Sequence, residues 1–273
     1  VNRSELITRS ITGFFIVAIT LGAIIYSPWT YLLWLCVIVF TGTQEYFRLE
    51  KIALSATQVF TFPVLLSMII AGTGYYLIYK ISPVGILVFL PLVIGALFLI
   101  QLLLKRDVNE LVKTNNAFYS ATSYFGLPAL CGCLFLTLDY NYKLVLVPVF
   151  LIWLNDVGAY MIGSQWGKHK IAPLLSPGKS IEGTIGGGFM AFLTGILLLK
   201  IWPEIPSGYI ILLSLTTPFF ALAGDLWESA LKRNAGVKDS GRILPGHGGI
   251  LDRYDSLLFV LPVAALAYYI FVL

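Results

Sequence analysis

Charge is the scarcest property of this sequence. Only 12% of its 273 residues are charged, 58% are hydrophobic, and the mean hydropathy is +0.86. Soluble domains carry roughly 25% charged residues, so a soluble globular protein is excluded. No polar stretch is long enough to form a separate domain, and the chain reads as a single integral membrane domain over residues 1–273. The first apolar run leads directly into a second without an A-x-A cleavage site, so no removable signal peptide is expected. Cysteine is also scarce, and Cys36, Cys131 and Cys133 all lie in apolar runs. No further thiol or His pair accompanies Cys131-Gly-Cys133, so these read as small helix residues and not as a metal or redox pair. Internal repeats and low-complexity segments are absent, which counts against a transporter built from related halves. No nucleic-acid partner is expected.

What is present is a series of apolar runs. Residues 10–44 carry no charge over 35 positions, and Ser27-Pro28 divides them into spans at about 5–26 and 28–43. The second is near the lower limit of ~17 residues for crossing a bilayer. Gln44–Ser55 reads as a charged turn with an interfacial helix. Further spans are expected at about 56–79, 83–104, 117–138, 143–163, 183–202, 207–231 and 254–272. Between them lie a polar loop at Lys105–Lys113, a tight turn at Asp139–Lys143 and a loop at 164–181. The expected fold is all-α, with about nine transmembrane helices. In that arrangement 15 of the 18 Lys/Arg residues fall on one side, leaving Lys80, Lys143 and Lys200 on the other. The positive-inside rule then makes the N-terminus cytoplasmic and the C-terminus external, in a multi-pass protein of the cell (inner) membrane. Residues 1–143 read mainly as scaffold helices.

The polar features crowd into residues 155–255, above all into Ser229–Asp255, so residues 144–273 are expected to carry the active site. That stretch holds one of the two His, with Lys232, Arg233, Lys238, Arg242 and Arg253 as its cations. A dense polar block between two apolar spans is costly beside lipid unless it binds something. Its basic residues supply positive charge, Gly246, Gly248 and Gly249 let backbone N–H groups approach a ligand, and Asp252 and Asp255 can hold a metal. Phosphates with a divalent cation suit that set. On the preceding span Asp225, Glu228, Ser229 and Lys232 recur at i, i+3, i+4 and i+7, one face of a helix. This is either the wall of a hydrophilic pocket or, for Glu228 and Lys232, an internal ion pair. Asp225 lies deepest and has no positive partner in its own helix, which favours a metal. Asp225 and Asp252 opposite each other would give Mg²⁺ two hard oxygen ligands.

Other polar groups enter the apolar spans upstream. Asp156, beside Asn155, must either face a cavity or cation or lock neighbouring helices by a hydrogen bond. Gly183, Gly186 and Gly187 at helical spacing read as close helix packing. Lys179, Ser180 and Glu182 just before them could reach a phosphate or ribose. Asp252 and Asp255 in a first helical turn are favoured by the helix dipole alone, but that does not account for Arg253, His247 and three glycines beside them. No activated Ser or Cys triad is visible, and Ser229-x-x-Lys232 is too short a pattern to stand for one.

The run Ser229-x-x-Lys232-Arg233-x₄-Lys238-Asp239-x-Gly241-x₃-Pro245-x-His247-Gly248-Gly249-x-x-Asp252-Arg253-x-Asp255 resembles the signature of the CDP-diacylglycerol synthases, or phosphatidate cytidylyltransferases. Asp156-x-Gly-Ala-Tyr160 and Lys168-His169-Lys170…Ser176-Pro-Gly-Lys179-Ser-x-Glu-Gly183 are similar to that family too. A departure is Gly178, where a second basic residue is common. The resemblance implies Mg²⁺-dependent conversion of CTP and phosphatidate to CDP-diacylglycerol and pyrophosphate, with room for a second cation. It implies a catalytic set of Asp225, Asp252, Asp255, Lys232 and Arg253. The substrate contacts would be Asp156, Lys179, Ser180, Glu182, Ser229, Arg233, Lys238, Asp239, Arg242, His247, Gly248 and Gly249. The pocket would face the cytoplasm, from which CTP comes, and open to membrane lipids; a homodimer is a candidate assembly. The competing readings are a CTP-dependent kinase of a membrane alcohol and, in another class, a cation or phosphate transporter.

The charge asymmetry has a direct consequence. Cysteines introduced as Asn2→Cys and Leu273→Cys should label from opposite faces of oriented vesicles; labelling from one face would rule out an odd number of spans.

Overall fold

The computed structural model describes residues 3–51, 54–79, 108–137 and 139–273. The chain forms two compact units, one of Val1–Tyr140 with Ser240–Leu251, the other of Asn141–Asp239 with Asp252–Leu273.

The first unit begins with α1 (Arg3–Tyr26) and α2 (Pro28–Glu50). Ser27-Pro28 breaks the apolar run because it is a complete helix start: Ser27 is extended, its hydroxyl accepts Thr30 N–H, Thr30 reaches back to the Ser27 N–H, and Pro28 takes the first helical position. Ser55 and Gln58 form the same reciprocal cap at the head of α3 (Ala56–Ile78). Next come α4 (Val108–Ala121), a π turn at Thr122–Gly126, α5 (Leu127–Cys133) and a short 3₁₀ turn at Leu134–Leu136. An aromatic core joins these helices. Phe62 and Phe118 stack at 4.2 Å, Phe47 lies 5.6 Å from Phe62, and Tyr46 meets Phe125 edge-on at 6.0 Å. The three cysteines are free thiols.

The second unit contains α6 (Tyr142–Trp166), an antiparallel hairpin of β1 (Lys170–Ala172) and β2 (Ser176–Ser180), then α7 (Ile181–Ile201), α8 (Ser207–Ala235) and α9 (Leu251–Phe271). Glycines set the approach of α6 to α7, as the sequence predicts. A Cβ on Gly183 would lie 2.9 Å from the Ala159 carbonyl oxygen, and one on Gly187 would lie 2.7 Å from Asn155 Oδ1.

Among the described residues, seven helices are long and apolar enough to cross a membrane: residues 7–26, 57–78, 111–136, 142–166, 181–201, 207–235 and 251–271. Large apolar side chains such as Phe14, Phe189, Leu197 and Phe219 are exposed on them, as lipid-facing surfaces require. The expected span at 83–104 lies outside the described residues, as do Lys105 and Arg106. The expected span at 28–43 is part of α2, whose polar end keeps it out of the apolar set.

Three expectations change. Gln44–Glu50 is not a turn followed by an interfacial helix; it completes α2, because no Gly or Pro intervenes and Tyr46, Phe47 and Leu49 continue its buried face up to Lys51, which closes it at φ 51°. Val108–Lys113 is not loop but the beginning of α4. The loop at 164–181 contains the hairpin, so among the described residues the regular structure is helical apart from this small sheet and an isolated bridge at Leu244 and Gly248.

The glycine contacts separate two neighbouring positions. Gly187→Ala should destabilise the protein by about 1–3 kcal/mol through overpacking, read as a lower unfolding midpoint in detergent. Gly188→Ala should be neutral or slightly stabilising, since its Cβ would meet Pro218 at an ordinary 3.7 Å.

Candidate active site

The site is built mainly from α8 and α9 of the second unit. No residue breaks α8 as it turns from apolar to polar, so Asp225, Glu228, Ser229 and Lys232 share one of its faces. The helix ends only at Gly236, in the left-handed region at φ +71°. Asp252, Arg253 and Asp255 occupy the start of α9. Gly224 lets the two helices touch: a Cβ there would lie 3.0 Å from Ser256 Cα, and Ser256 Oγ donates to the Ala221 carbonyl at 3.3 Å.

Charged groups pair across this contact. Lys232 Nζ lies 2.5 Å from Glu228 Oε2 and 2.8 Å from Asp252 Oδ1. The ion-pair reading of Glu228 and Lys232 is thus realised, with Asp252 as a third member. Asp225 pairs with Lys179 of β2, so its positive partner comes from the hairpin and not from its own helix. Asp255 is 6% exposed and within hydrogen-bonding reach of Asp225, and Glu228 is 3% exposed and within reach of Asp252. Glu228 Oε1 is buried without a hydrogen-bond partner. Asp156 is exposed on α6, accepts a hydrogen bond from Asn155 Nδ2 at 3.1 Å, and feels the charges of Asp225, Lys179 and Arg253.

The other expected residues divide by what they do locally. Ser180 is buried and caps α7, accepting Gly183 N–H at 3.1 Å. Glu182 accepts the Lys168 N–H at 3.1 Å and the His169 N–H at 3.2 Å and pairs with His169 Nδ1 at 2.5 Å, tying the hairpin's entry to α7. Arg233 Nε donates to the Leu175 carbonyl at 3.2 Å. Ser229 is half-buried on the α8 stripe, while Lys238, Asp239, Arg242 and Arg253 are exposed.

In the first unit, Ser240–Leu251 makes a tight turn. Leu244 N–H donates to the Gly248 carbonyl at 2.9 Å, and the N–H groups of His247 and Gly248 return to the Leu244 carbonyl at 2.9 and 3.1 Å. Gly246 and Gly248 take φ +74° and +84°, positions that L side chains rarely adopt. The Gly248 amide therefore holds the turn, and Gly249 is buried.

Sequence reasoning missed the Lys179–Asp225 pair, whose members are 46 residues apart. The signal available was a lone lysine in a short polar segment matched to a lone acid deep in a later span.

Two facing membrane-length helices thus carry four acids, three of which are paired with Lys232 of α8 and Lys179 of the hairpin. The comparison with known sequences is specific: the chain belongs to the cytidylyltransferase family, which it matches over residues 7–271. Similar proteins are the phosphatidate cytidylyltransferases of Staphylococcus aureus strain COL, 49% identical over 120 residues, and of Staphylococcus haemolyticus strain JCSC1435, 47% identical over 126 residues. That of Staphylococcus epidermidis strain ATCC 12228 is 44% identical over 128 residues. These matches cover 44% of this chain and 46 to 47% of each relative, so the chain spans less than half the length of the relatives it matches.

Lys232 holds two buried acids together, and removing one member of such a group leaves uncompensated charge. Lys232→Met should therefore destabilise the protein by up to roughly 3–5 kcal/mol. Adding Glu228→Gln should recover much of that loss, measured by unfolding in detergent; no recovery would place the effect of Lys232 outside this ion pair.

Proposed function

We propose that the chain is a phosphatidate cytidylyltransferase: a membrane enzyme of phospholipid biosynthesis that converts CTP and phosphatidate to CDP-diacylglycerol and pyrophosphate. The observation that carries this reading is the paired acid–lysine arrangement of Asp225, Lys179, Glu228, Lys232 and Asp252 in a chain of the cytidylyltransferase family. The activity for which the relatives are named supports it.

In the reaction a phosphatidate phosphate oxygen attacks the α-phosphorus of CTP. One P–O bond forms there, and the bond to the β,γ-diphosphate breaks, releasing pyrophosphate with its electron pair. The nucleophile is already anionic near neutral pH, because the second pKa of a phosphate monoester is about 6. A strong general base is unnecessary; the barrier is repulsion between two polyanions. Lys179, Lys232 and Arg253 answer it. With no substrate present the two lysines neutralise carboxylates, and they turn toward phosphate as the substrates enter, stabilising charge on the departing pyrophosphate. Ser229, Arg233, Lys238, Asp239, Arg242, His247, Gly248 and Gly249 are assigned to substrate by the family motif.

Among the described residues no three His, Cys, Asp or Glu side chains converge to hold a metal, but carboxyls stand side by side in two pairs, Asp225 with Asp255 and Glu228 with Asp252, and such pairs need a proton or a cation between them. Asp225 and Asp252 would hold Mg²⁺, which takes one or two carboxylates and completes its shell with water and substrate phosphates; when bound, it supplies Lewis-acid polarisation of the phosphate. A second cation is a candidate beside Asp255.

We place this site on the cytoplasmic side of nine spans, with residues 144–273 carrying it, from the 15-to-3 division of Lys and Arg. Incubating purified protein with labelled CTP, phosphatidate and Mg²⁺ should give a lipid-soluble cytidine product and pyrophosphate, with chelation stopping both. Release of CDP instead would make the chain a kinase. Asp252→Asn should abolish turnover in a folded protein. Arg253→Lys keeps the charge but loses the planar fork and should lower kcat/KM roughly ten- to a hundredfold, the scale of a lost charge-assisted hydrogen bond. Lys200→Ala is the control.

A further inference from the structure

Glu45 is an acid that the proposed reaction does not use. It lies on α2 of the first unit and is 0% exposed. Its Oε2 accepts Ser240 Oγ at 3.1 Å and Leu251 N–H at 2.8 Å, and its Oε1 accepts Ile250 N–H at 3.0 Å. A single carboxyl thus joins the first residue of the Ser240–Leu251 segment to its last two. Two glycines close over it, since a Cβ on Gly241 or on Gly249 would collide with its oxygens. The amides it receives are those at the head of α9, which starts at Leu251. Such amides have no partner inside their own helix and are ordinarily met by a Ser, Thr, Asp or Asn at the N-cap. Here Gly249 and Ile250 occupy the approach, and neither has a side chain that can accept a hydrogen bond. Glu45 does this from another helix, where its carboxyl also suits the positive end of the helix dipole.

We propose that Glu45 is a positioning residue for nucleotidyl transfer. By pinning both ends of the Ser240–Leu251 loop it fixes the segment that presents Arg242 and His247, and it sets the first residue of α9, one peptide bond before Asp252. The inference rests on the nucleotidyl-transfer reading given above; the loop residues concerned are among those assigned there to substrate, and the cation Arg242 with them suits the CTP phosphates. Glu45 touches no substrate; it acts through the loop. It also gives Gly241 and Gly249 of the motif a role other than ligand approach: they leave the space that the carboxyl fills.

The test uses the full-length protein in detergent or vesicles, with two variants and two readouts. Glu45→Gln keeps the size of the side chain but replaces one acceptor oxygen by a donor facing N–H groups. Ser240→Ala removes the hydroxyl that donates to the carboxyl and leaves the carboxyl itself, and so tests the pin if Glu45→Gln does not fold. The first readout is tryptic cleavage after the exposed Lys238 and Arg242, without any ligand. Glu45→Gln should be cut at least tenfold faster than wild type and Ser240→Ala at an intermediate rate, with Glu50→Gln unchanged. The second readout is steady-state kinetics on folded protein. KM for CTP should rise at least fivefold and kcat should fall, while KM for phosphatidate stays within about twofold. A loss confined to the amount of active enzyme, with both KM values at wild type, would reduce Glu45 to a fold-stabilising residue and overturn the proposal. Unchanged cleavage would overturn the pin itself. If wild type makes no cytidine lipid, the functional reading fails, whereas the cleavage arm still reports on the pin.

Discussion

The second unit depends on one constraint: carboxyl groups carried on membrane-length helices must be compensated from within the bundle. Isolated, a buried carboxylate costs several kcal/mol even after relaxation. Asp225, Glu228, Asp252 and Asp255 are brought together on two helices, which multiplies that cost. Lys179 and Lys232 make the arrangement tolerable, one arriving from a strand and one from the same helix as Glu228. The close approach at Gly224 goes with this need, because the Lys232–Asp252 salt bridge at 2.8 Å leaves little slack between α8 and α9.

The same compensation would explain how the proposed site for anions can be lined with acids. In the absence of substrate each lysine has a carboxylate to neutralise. On the proposed reaction a polyphosphate would compete for those lysines, and a divalent cation would take over the carboxylates that they release. Substrate entry would then be an exchange of ionic partners, not the transfer of bare charge into a low-dielectric region. Breaking even would be enough, since buried pairs contribute little net stability against apolar alternatives.

Much of this was legible in the sequence, and the failures have physical reasons. Apolar runs gave the helices because lipid-crossing segments must satisfy their own backbone, and Gly183 and Gly187 gave the α6–α7 contact because helical spacing puts small residues on one face. The α8 stripe was readable for the same reason. The Lys179–Asp225 pair was not, since no local period connects a strand residue to one in a distant helix. Glu45 was hidden by its neighbours: Gln44, Arg48, Glu50 and Lys51 make that window look like a surface turn, while its burial depends on residues about 200 positions away. The hairpin escaped because Lys170–Ala172 and Ser176–Ser180 are short, and Pro177 and Gly178 are residues that strands usually avoid.

That hairpin limits how the chain can vary. Ser180 pairs with Lys170 and Ser176 with Ala172, so β2 is bulged along the stretch that carries Lys179. A bulge re-aims a side chain, and inserting or deleting one residue between the turn and Ser180 would turn the lysine away from Asp225. In a helix the same change would rotate the side chain by roughly 100° and leave a neighbouring residue within reach. A segment that reads as a permissive loop should therefore accept substitutions at its tip but not changes of length.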